Sequence, residues 1–241
     1  MKPRGSYFGL LLTVFLFIAP LSQAEAGLDL VTIPTTKTLL KGDIDIDLEL
    51  YGNGGVLVRS ALGVTNYLTL GLPIDIKYLI GREEVDIDLP IPVWARLRLM
   101  EGFGLVPTIS LGYDPAEYGE EAADTAEEGA RGAYLALSWF SKAKKISLRP
   151  VLEVHAPGKE PDFNEVRAAV GLDLLLGKRW LLLAEADQIP FYQDRIKDES
   201  RLNAGLGFFF TPHLLAGIHF NDLREDKPER RVKIEYTRAF F

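Results

Sequence analysis

The segment Asn66 to Gly81, NYLTLGLPIDIKYLIG, puts Leu68, Leu70, Leu72, Ile74, Ile76, Tyr78 and Ile80 on one parity. The other parity carries Thr69, Gly71, Pro73, Asp75, Lys77, Leu79 and Gly81. Side chains alternate across a strand, so this segment has one apolar face and one that is mostly polar or small. It is also long enough to cross a hydrocarbon layer as a tilted strand, which takes about 9–11 residues.

The same alternation recurs on both sides of it. Asp43 to Tyr51 sets Ile44, Ile46, Leu48 and Leu50 against Asp45, Asp47, Glu49 and Tyr51. Gly52-Asn53-Gly54-Gly55 is a turn signal, and Val56 to Val64 returns with Arg59 on the polar parity. A fourth strand starts near Val85 and carries Asp86, Asp88, Trp94, Arg96 and Arg98 on one face. Pro90 and Pro92 place its membrane-spanning part after them, because proline cannot donate to a ladder. Further strands are expected at Leu105 to Tyr113, Ala133 to Phe140, Lys145 to His155, Val166 to Leu176, Trp180 to Gln188, Leu202 to Phe210, Leu214 to Asn221 and Arg231 to Phe241. Pro150 interrupts the seventh of the twelve strands and predicts a bulge there. The expected fold is all-β: a single antiparallel up-and-down transmembrane barrel of about twelve strands. Short links alternate with longer, more charged ones, as in barrels with turns at one rim and loops at the other.

Met1 to Ala26 reads as a removable targeting segment. Lys2 and Arg4 precede an apolar run from Phe8 to Ala19, and cleavage is expected after Ala24 or Ala26. Residues 27–42 have Pro34 and no clean period, and are either a periplasmic lead-in or a segment tucked into the lumen; residues 43–241 form the barrel. The absence of cysteine excludes lipid attachment after the signal and any disulfide framework. Removal of Lys2 and Arg4 takes the formal charge from −7 to −9 if cleavage follows Ala24, which is no nucleic-acid footprint.

With these features the chain resembles Gram-negative outer-membrane β-barrel proteins. The resemblance covers the signal, the alternating segments and an end in Phe240-Phe241. It implies a location in the bacterial outer membrane, with outer-membrane lipid and the insertion machinery as partners. Tyr236, Phe240 and Phe241 would be the assembly signal; Val232 and Ile234 share the register of Tyr236 and Phe240, and Arg238 breaks it. Pro34-Thr35-Thr36 and the stretch LGVTNYLTLGLP from Leu62 to Pro73 are also similar to outer-membrane proteins of exopolysaccharide-secretion operons. An accessory barrel in such export is the alternative reading. Some twelve-stranded barrels of the class are lipid hydrolases, but no Gly-x-Ser-x-Gly elbow occurs, and His155 beside Glu153 is the best placed base.

The expected lumen-lining residues are Asp45, Asp47, Glu49, Arg59, Asp75, Lys77, Arg96, Arg98, Arg149, Glu153, Arg167, Asp173, Glu185, Asp187, Lys233 and Glu235, with His155 and His219 on the same parity. Arg96 and Arg98 on one strand and Glu185 and Asp187 on another predict a field across a narrow pore. Nine carboxylates against seven Lys/Arg predict a modest preference for cations. The function expected is a narrow channel for ions or small polar solutes, without cofactor, metal or catalytic residue. Tyr78, Tyr113, Trp139, Trp180, Phe210, Phe220 and Phe240 are the expected aromatic girdle. Asp114 to Gly129 holds seven acidic residues and no basic one; it reads as a solvated loop, or as one that gathers divalent cations at the mouth.

Overall fold

A computed structural model describes residues 27–87, 89–115, 131–158, 165–190 and 200–239. Residues 1–26, most of the acidic stretch after Asp114, and Phe240 and Phe241 lie outside the described residues, and with them the targeting segment and the end of the assembly signal. The chain forms β1 (Asp43–Tyr51), β2 (Gly55–Gly63), β3 (Leu68–Lys77), β4 (Asp86–Ile87), β5 (Trp94–Met100), β6 (Thr108–Asp114) and β7 (Gly132–Ser138). It continues through β8 (Ser141–Ala143), β9 (Ile146–Ala156), β10 (Arg167–Leu176), β11 (Trp180–Pro190), β12 (Arg201–Thr211), β13 (Leu214–Asn221) and β14 (Glu229–Ala239). Strands β4 and β8 are short ribbons laid on β3 and β9.

The other twelve close into a ring. Each pairs antiparallel with its neighbours in chain order, and β14 pairs with β1 from Asp43↔Ala239 to Leu50↔Val232. A closed antiparallel ring satisfies every ladder hydrogen bond without an edge, which is the only way strands can lie in hydrocarbon. The architecture is therefore that of a twelve-stranded up-and-down barrel.

Alternation fixes which way each face points. Ile46, Leu72, Leu206, Ile218, Val232 and Ile234 project outward and are exposed, whereas Asp45, Asp47, Glu49, Asp173, Glu185 and Glu235 project inward and are buried. A contiguous apolar exterior of this extent exceeds what a water-soluble monomer carries. It matches a lipid-facing band.

Proline punctuates the strands as donor loss requires. The fourth spanning strand begins at Trp94, after Pro90 and Pro92, and only Asp86–Ile87 of the run before them pairs. The bulge expected at Pro150 does not form. Register with β10 runs without a shift from Ile146↔Leu176 to His155↔Arg167. On its other edge, pairing with β7 stops at Val151, pairing with β8 begins at Leu148, and the Pro150 carbonyl accepts the Trp139 amide at 3.2 Å. Proline thus sits in a gap between two partners, where a missing N–H leaves no acceptor stranded. The register shifts fall instead at Arg98/Met100, Ala168/Val170 and Phe209/Thr211.

Lipid-facing charge is the direct test of this orientation. Leu206→Arg, at the middle of β12, should destabilise the barrel by about 2–4 kcal/mol. Leu105→Arg, on a rim residue that is 93% exposed, should change it little. Urea unfolding in lipid vesicles measures both.

Candidate functional site

The barrel interior is occupied by the chain itself. Residues 27–41 run inside the ring, where Leu30, Val31, Ile33, Thr35, Thr36, Thr38 and Leu39 are buried. They form a small reversal: the Leu30 amide donates to the Ile33 carbonyl at 2.9 Å, and the Thr35 amide donates to the Leu28 carbonyl at 3.0 Å. The segment then descends to the short-turn rim, where the Lys41 amide donates to Asn66 Oδ1 at 3.0 Å and the Gly42 amide to the Gly63 carbonyl at 2.8 Å. From there the chain turns up into β1.

One side of the plug is apolar. Leu30, Val31 and Ile33 pack with Val151, Ala169, Leu175, Leu181, Leu183, Phe209 and Leu215 from the wall. Gly171 makes the fit possible, since a Cβ there would lie 2.2 Å from Leu30 Cδ1. Each such side chain removed from water contributes about 1.5–3 kcal/mol.

The other contacts are polar and run chiefly through wall side chains. Glu185 on β11 accepts the amides of Val31 and Ile33 on Oε2 at 3.1 and 3.2 Å, and that of Thr32 on Oε1 at 2.9 Å. Thr32 Oγ1 and Asn203 Nδ2 also donate to it, at 2.5 and 2.7 Å. Three successive amides converge on one carboxylate, as in an anion-binding backbone nest. Arg96 on β5 donates to the Leu28 and Lys37 carbonyls at 2.8 and 3.1 Å and to Asp29 Oδ1 at 2.6 Å, while its Nε donates to Tyr134 Oη at 2.9 Å. Arg59 takes the other oxygen of Asp29 at 2.7 Å. Burial alone would raise the Asp29 carboxyl, but Arg59 and Arg96 outweigh it and hold the group well below the usual carboxylate range. Their contribution is present above the ordinary carboxylate pKa of about 4 and is lost only in stronger acid.

Arg131 is the largest feature that the sequence reading missed. It donates to Glu153, to Asp187 Oδ2 at 2.7 Å and to the Thr32 carbonyl at 3.1 Å. The residue precedes β7 and appears in sequence as the end of a loop. Gly132 turns it inward: its φ is +66°, and a Cβ there would meet the Ala156 carbonyl at 2.1 Å. Only glycine meets both conditions.

The remaining expected residues separate into groups. Lys233 lies 2.7 Å from Asp47, 3.3 Å from Glu235 and 3.9 Å from Glu49, with Arg231 3.5 Å from Glu49. Asp45 accepts from Thr237, Asp75 accepts from Tyr51, and Arg149 pairs with Asp173 at 2.6 Å. Arg167 and Lys77 are half-buried, and Arg167 donates to Gln188 at 2.9 Å. Arg98 is at the short-turn rim, donating to the Asn66 carbonyl at 2.8 Å with its guanidinium 5.5 Å from the Tyr67 ring. The Arg96–Arg98 and Glu185–Asp187 ladders therefore do not face each other across open space; Arg96 and Glu185 grip opposite sides of the plug. Arg231, on the parity of Lys233 and Glu235, was legible and passed over. Arg131 and Arg231 join the seven basic residues, and Glu229 and Asp114, paired with Arg231 and Arg59, join the nine carboxylates, so the excess of acid in the count is unchanged.

His155 is buried with Nε2 3.4 Å from Gln188 Oε1 and Nδ1 3.6 Å from Glu153 Oε1. Glu153, His155 and Asp187 have ligand atoms within 4.8 Å of one another. Arg131 already fills the space between the two carboxylates, which makes this an ion-pair cluster rather than a vacant metal cage. Among the expected girdle residues, Trp180 and Phe210 are exposed on the outer face and Phe208 bridges them, 4.8 and 5.2 Å between centroids. Tyr78, Tyr113, Trp139 and Phe220 are half-buried, Trp139 Nε1 donating to the Leu105 carbonyl at 3.1 Å.

No family model and no curated protein matches the chain. Among solved structures it is similar to the KdgM porin, at 12% identity and a TM-score of 0.52, over 80% of this chain and 98% of that one. The fold is that of an outer-membrane β-barrel. A structure described as an engineered protein of asymmetric conductivity and a mutant of Rh. blastica porin also match, each at 9% identity over 83% of this chain and 99% of that one. Their TM-scores of 0.33 and 0.32 add nothing to the argument.

Glu185→Gln should loosen the plug without opening the ring. Glutamine offers one acceptor oxygen where three amides, a hydroxyl and Asn203 now share two, a loss of about 1–3 kcal/mol. Amide exchange at Val31 and Ile33 should rise by roughly tenfold or more, while that of Leu48 and Val58 in the β1–β2 ladder stays as it was.

Proposed function

We propose that this protein is a narrow outer-membrane channel for ions or small polar solutes, closed at rest by its own residues 27–41. The observation that carries the reading is how the plug is held. Its bonds to the wall run mainly through the side chains of Glu185, Arg96, Arg131, Arg149 and Thr69. The ring's own ladders are complete without it. The segment can therefore leave the lumen without breaking the wall, which a structural core could not do. The similarity of the fold to the KdgM porin agrees with this reading.

Displacement would expose a wall in which carboxylates and basic side chains alternate, as in Arg149–Asp173 and Lys233–Asp47, and whose local pairs reform across the ring. Such a lumen passes small hydrated species and discriminates weakly by sign. The filled interior equally supports the second reading, an accessory barrel in envelope or polymer export whose lumen stays shut. Conductance distinguishes the two.

In planar bilayers the intact protein should show rare, brief openings. Arg96→Ala removes several charge-assisted contacts, each worth about 1.5–3 kcal/mol. It should raise the open fraction by about tenfold or more. Deletion of residues 28–39 should give a persistently conducting barrel. A silent deletion variant that still shows the unheated-versus-boiled gel shift of a folded barrel would favour the accessory reading.

A further inference from the structure

The wall around Gly27 is dense in buried carboxylate. Asp45, Asp47, Glu49 and Glu235 are all buried on β1 and β14. A single ammonium, Lys233, serves three of them. Arg231 shares itself between Glu49 and Glu229, and Lys37 of the plug acts on Asp45. Asp47 Oδ1 and Glu235 Oε2 have no hydrogen-bond partner among the described residues. A cavity of about 10 Å³, the room for one water molecule, is lined by Asp29, Asp45, Asp47, Arg59, Lys233 and Glu235 among others.

Gly27 points at this cluster. A Cβ on it would lie 2.4 and 2.7 Å from the two Glu235 oxygens. Nitrogen and Cβ share the same Cα, about 2.5 Å apart, so the Gly27 nitrogen lies within about 5 Å of that carboxylate. Opposite charges at such a separation favour each other's ionised form. The position is anchored as well: Arg149 donates to the Gly27 carbonyl at 3.5 Å, and Arg96 to that of Leu28.

We propose that export processing cuts after Ala26, and that the new α-ammonium of Gly27 is a second counter-ion for Glu235, beside Lys233. Hydrolysis of the Ala26–Gly27 bond adds one water: the carboxylate leaves with Ala26, and the amine stays on Gly27 and takes up a proton. The Glu235 carboxylate beside it favours the charged form of this amine. The residues Ala24-Glu25-Ala26 supply the small-x-small site. A cut after Ala24 would instead leave Glu25 two residues from a cluster already rich in acid. Before processing, residue 27 carries an uncharged amide; afterwards it carries the charge that fastens the plug. Removal of the signal thus also supplies a charge that helps hold the plug. The inference rests on where the plug lies, not on conduction, so it stands or falls apart from the channel reading.

Intact mass of the protein recovered from outer membrane should correspond to Gly27–Phe241; a chain beginning at Glu25 overturns the proposal. An amine-reactive acylating reagent at neutral pH then reads the pairing. The Gly27 amine should be modified about tenfold more slowly in unheated protein than in boiled protein, the effect of about one pKa unit on the free-base fraction. Equal rates would also overturn it. Glu235→Gln should bring the unheated rate close to the boiled one while the folded gel mobility is retained, and an unchanged slow rate would assign the protection to burial alone. Should that variant not fold, Glu229→Gln, on the same strand but paired with Arg231, controls for a general effect, and the wild-type ratio decides.

Discussion

Closing a ring of twelve strands in hydrocarbon forces most polar side chains of the alternating pattern inward, and the rest of the structure answers that constraint. Buried carboxylates and guanidiniums are tolerated only when paired and hydrogen-bonded. Here the wall supplies part of the pairing, as in Arg149–Asp173 and Lys233–Asp47. The plug supplies the remainder with peptide groups. Glu185 has no basic partner among its hydrogen-bond donors; it is satisfied by three amides, a hydroxyl and Asn203. Arg96 likewise spends two of its bonds on peptide carbonyls. The plug is less an obstruction added to a pore than the missing half of its lining.

That division explains what was legible in the sequence. Strands announced themselves because one rule, apolar out and polar in, governs each residue independently of its partners. Asp43–Tyr51 and Leu214–Asn221 have the observed bounds for this reason. The rule loses force where the backbone departs from the pleat. Gly132, with its positive φ, swings Arg131 from an apparent loop into the lumen, and no side-chain period records that. Pro150 misled in the opposite sense: proline signals a lost donor, but whether the loss matters depends on what lies beside it, here a gap between β7 and β8.

Residues 27–41 were illegible for a deeper reason. A segment inside a barrel touches wall on every side, so neither a period of two nor one of 3.6 distinguishes a solvent face. What the stretch does carry is composition: Leu28, Leu30, Val31, Ile33 and Leu39 alternate irregularly with Thr32, Thr35, Thr36 and Thr38. Threonine suits such a place, since its hydroxyl donates or accepts as the wall requires and its methyl packs. Thr32 bonds Glu185 and Asp187, Thr35 bonds the Leu28 carbonyl, and Thr36 bonds Ser138.

The balance between the apolar and polar sides of the plug sets how such a segment could move. Leu30, Val31 and Ile33 press on the β9–β13 side of the ring with a non-directional force that survives small shifts. Glu185, Arg96 and Arg131 act only at their observed geometry, because hydrogen bonds weaken steeply with angle. A displacement of a few ångströms would therefore forfeit the polar grip first and much of the apolar contact later. Asp29 is the point where both matter, held between Arg59 and Arg96 at the mouth of the reversal. Release from that pair takes a carboxylate from each of two buried guanidiniums, which favours the plug's return over any partly withdrawn state. The plug is accordingly expected to occupy two positions, seated or out, rather than a continuum between them.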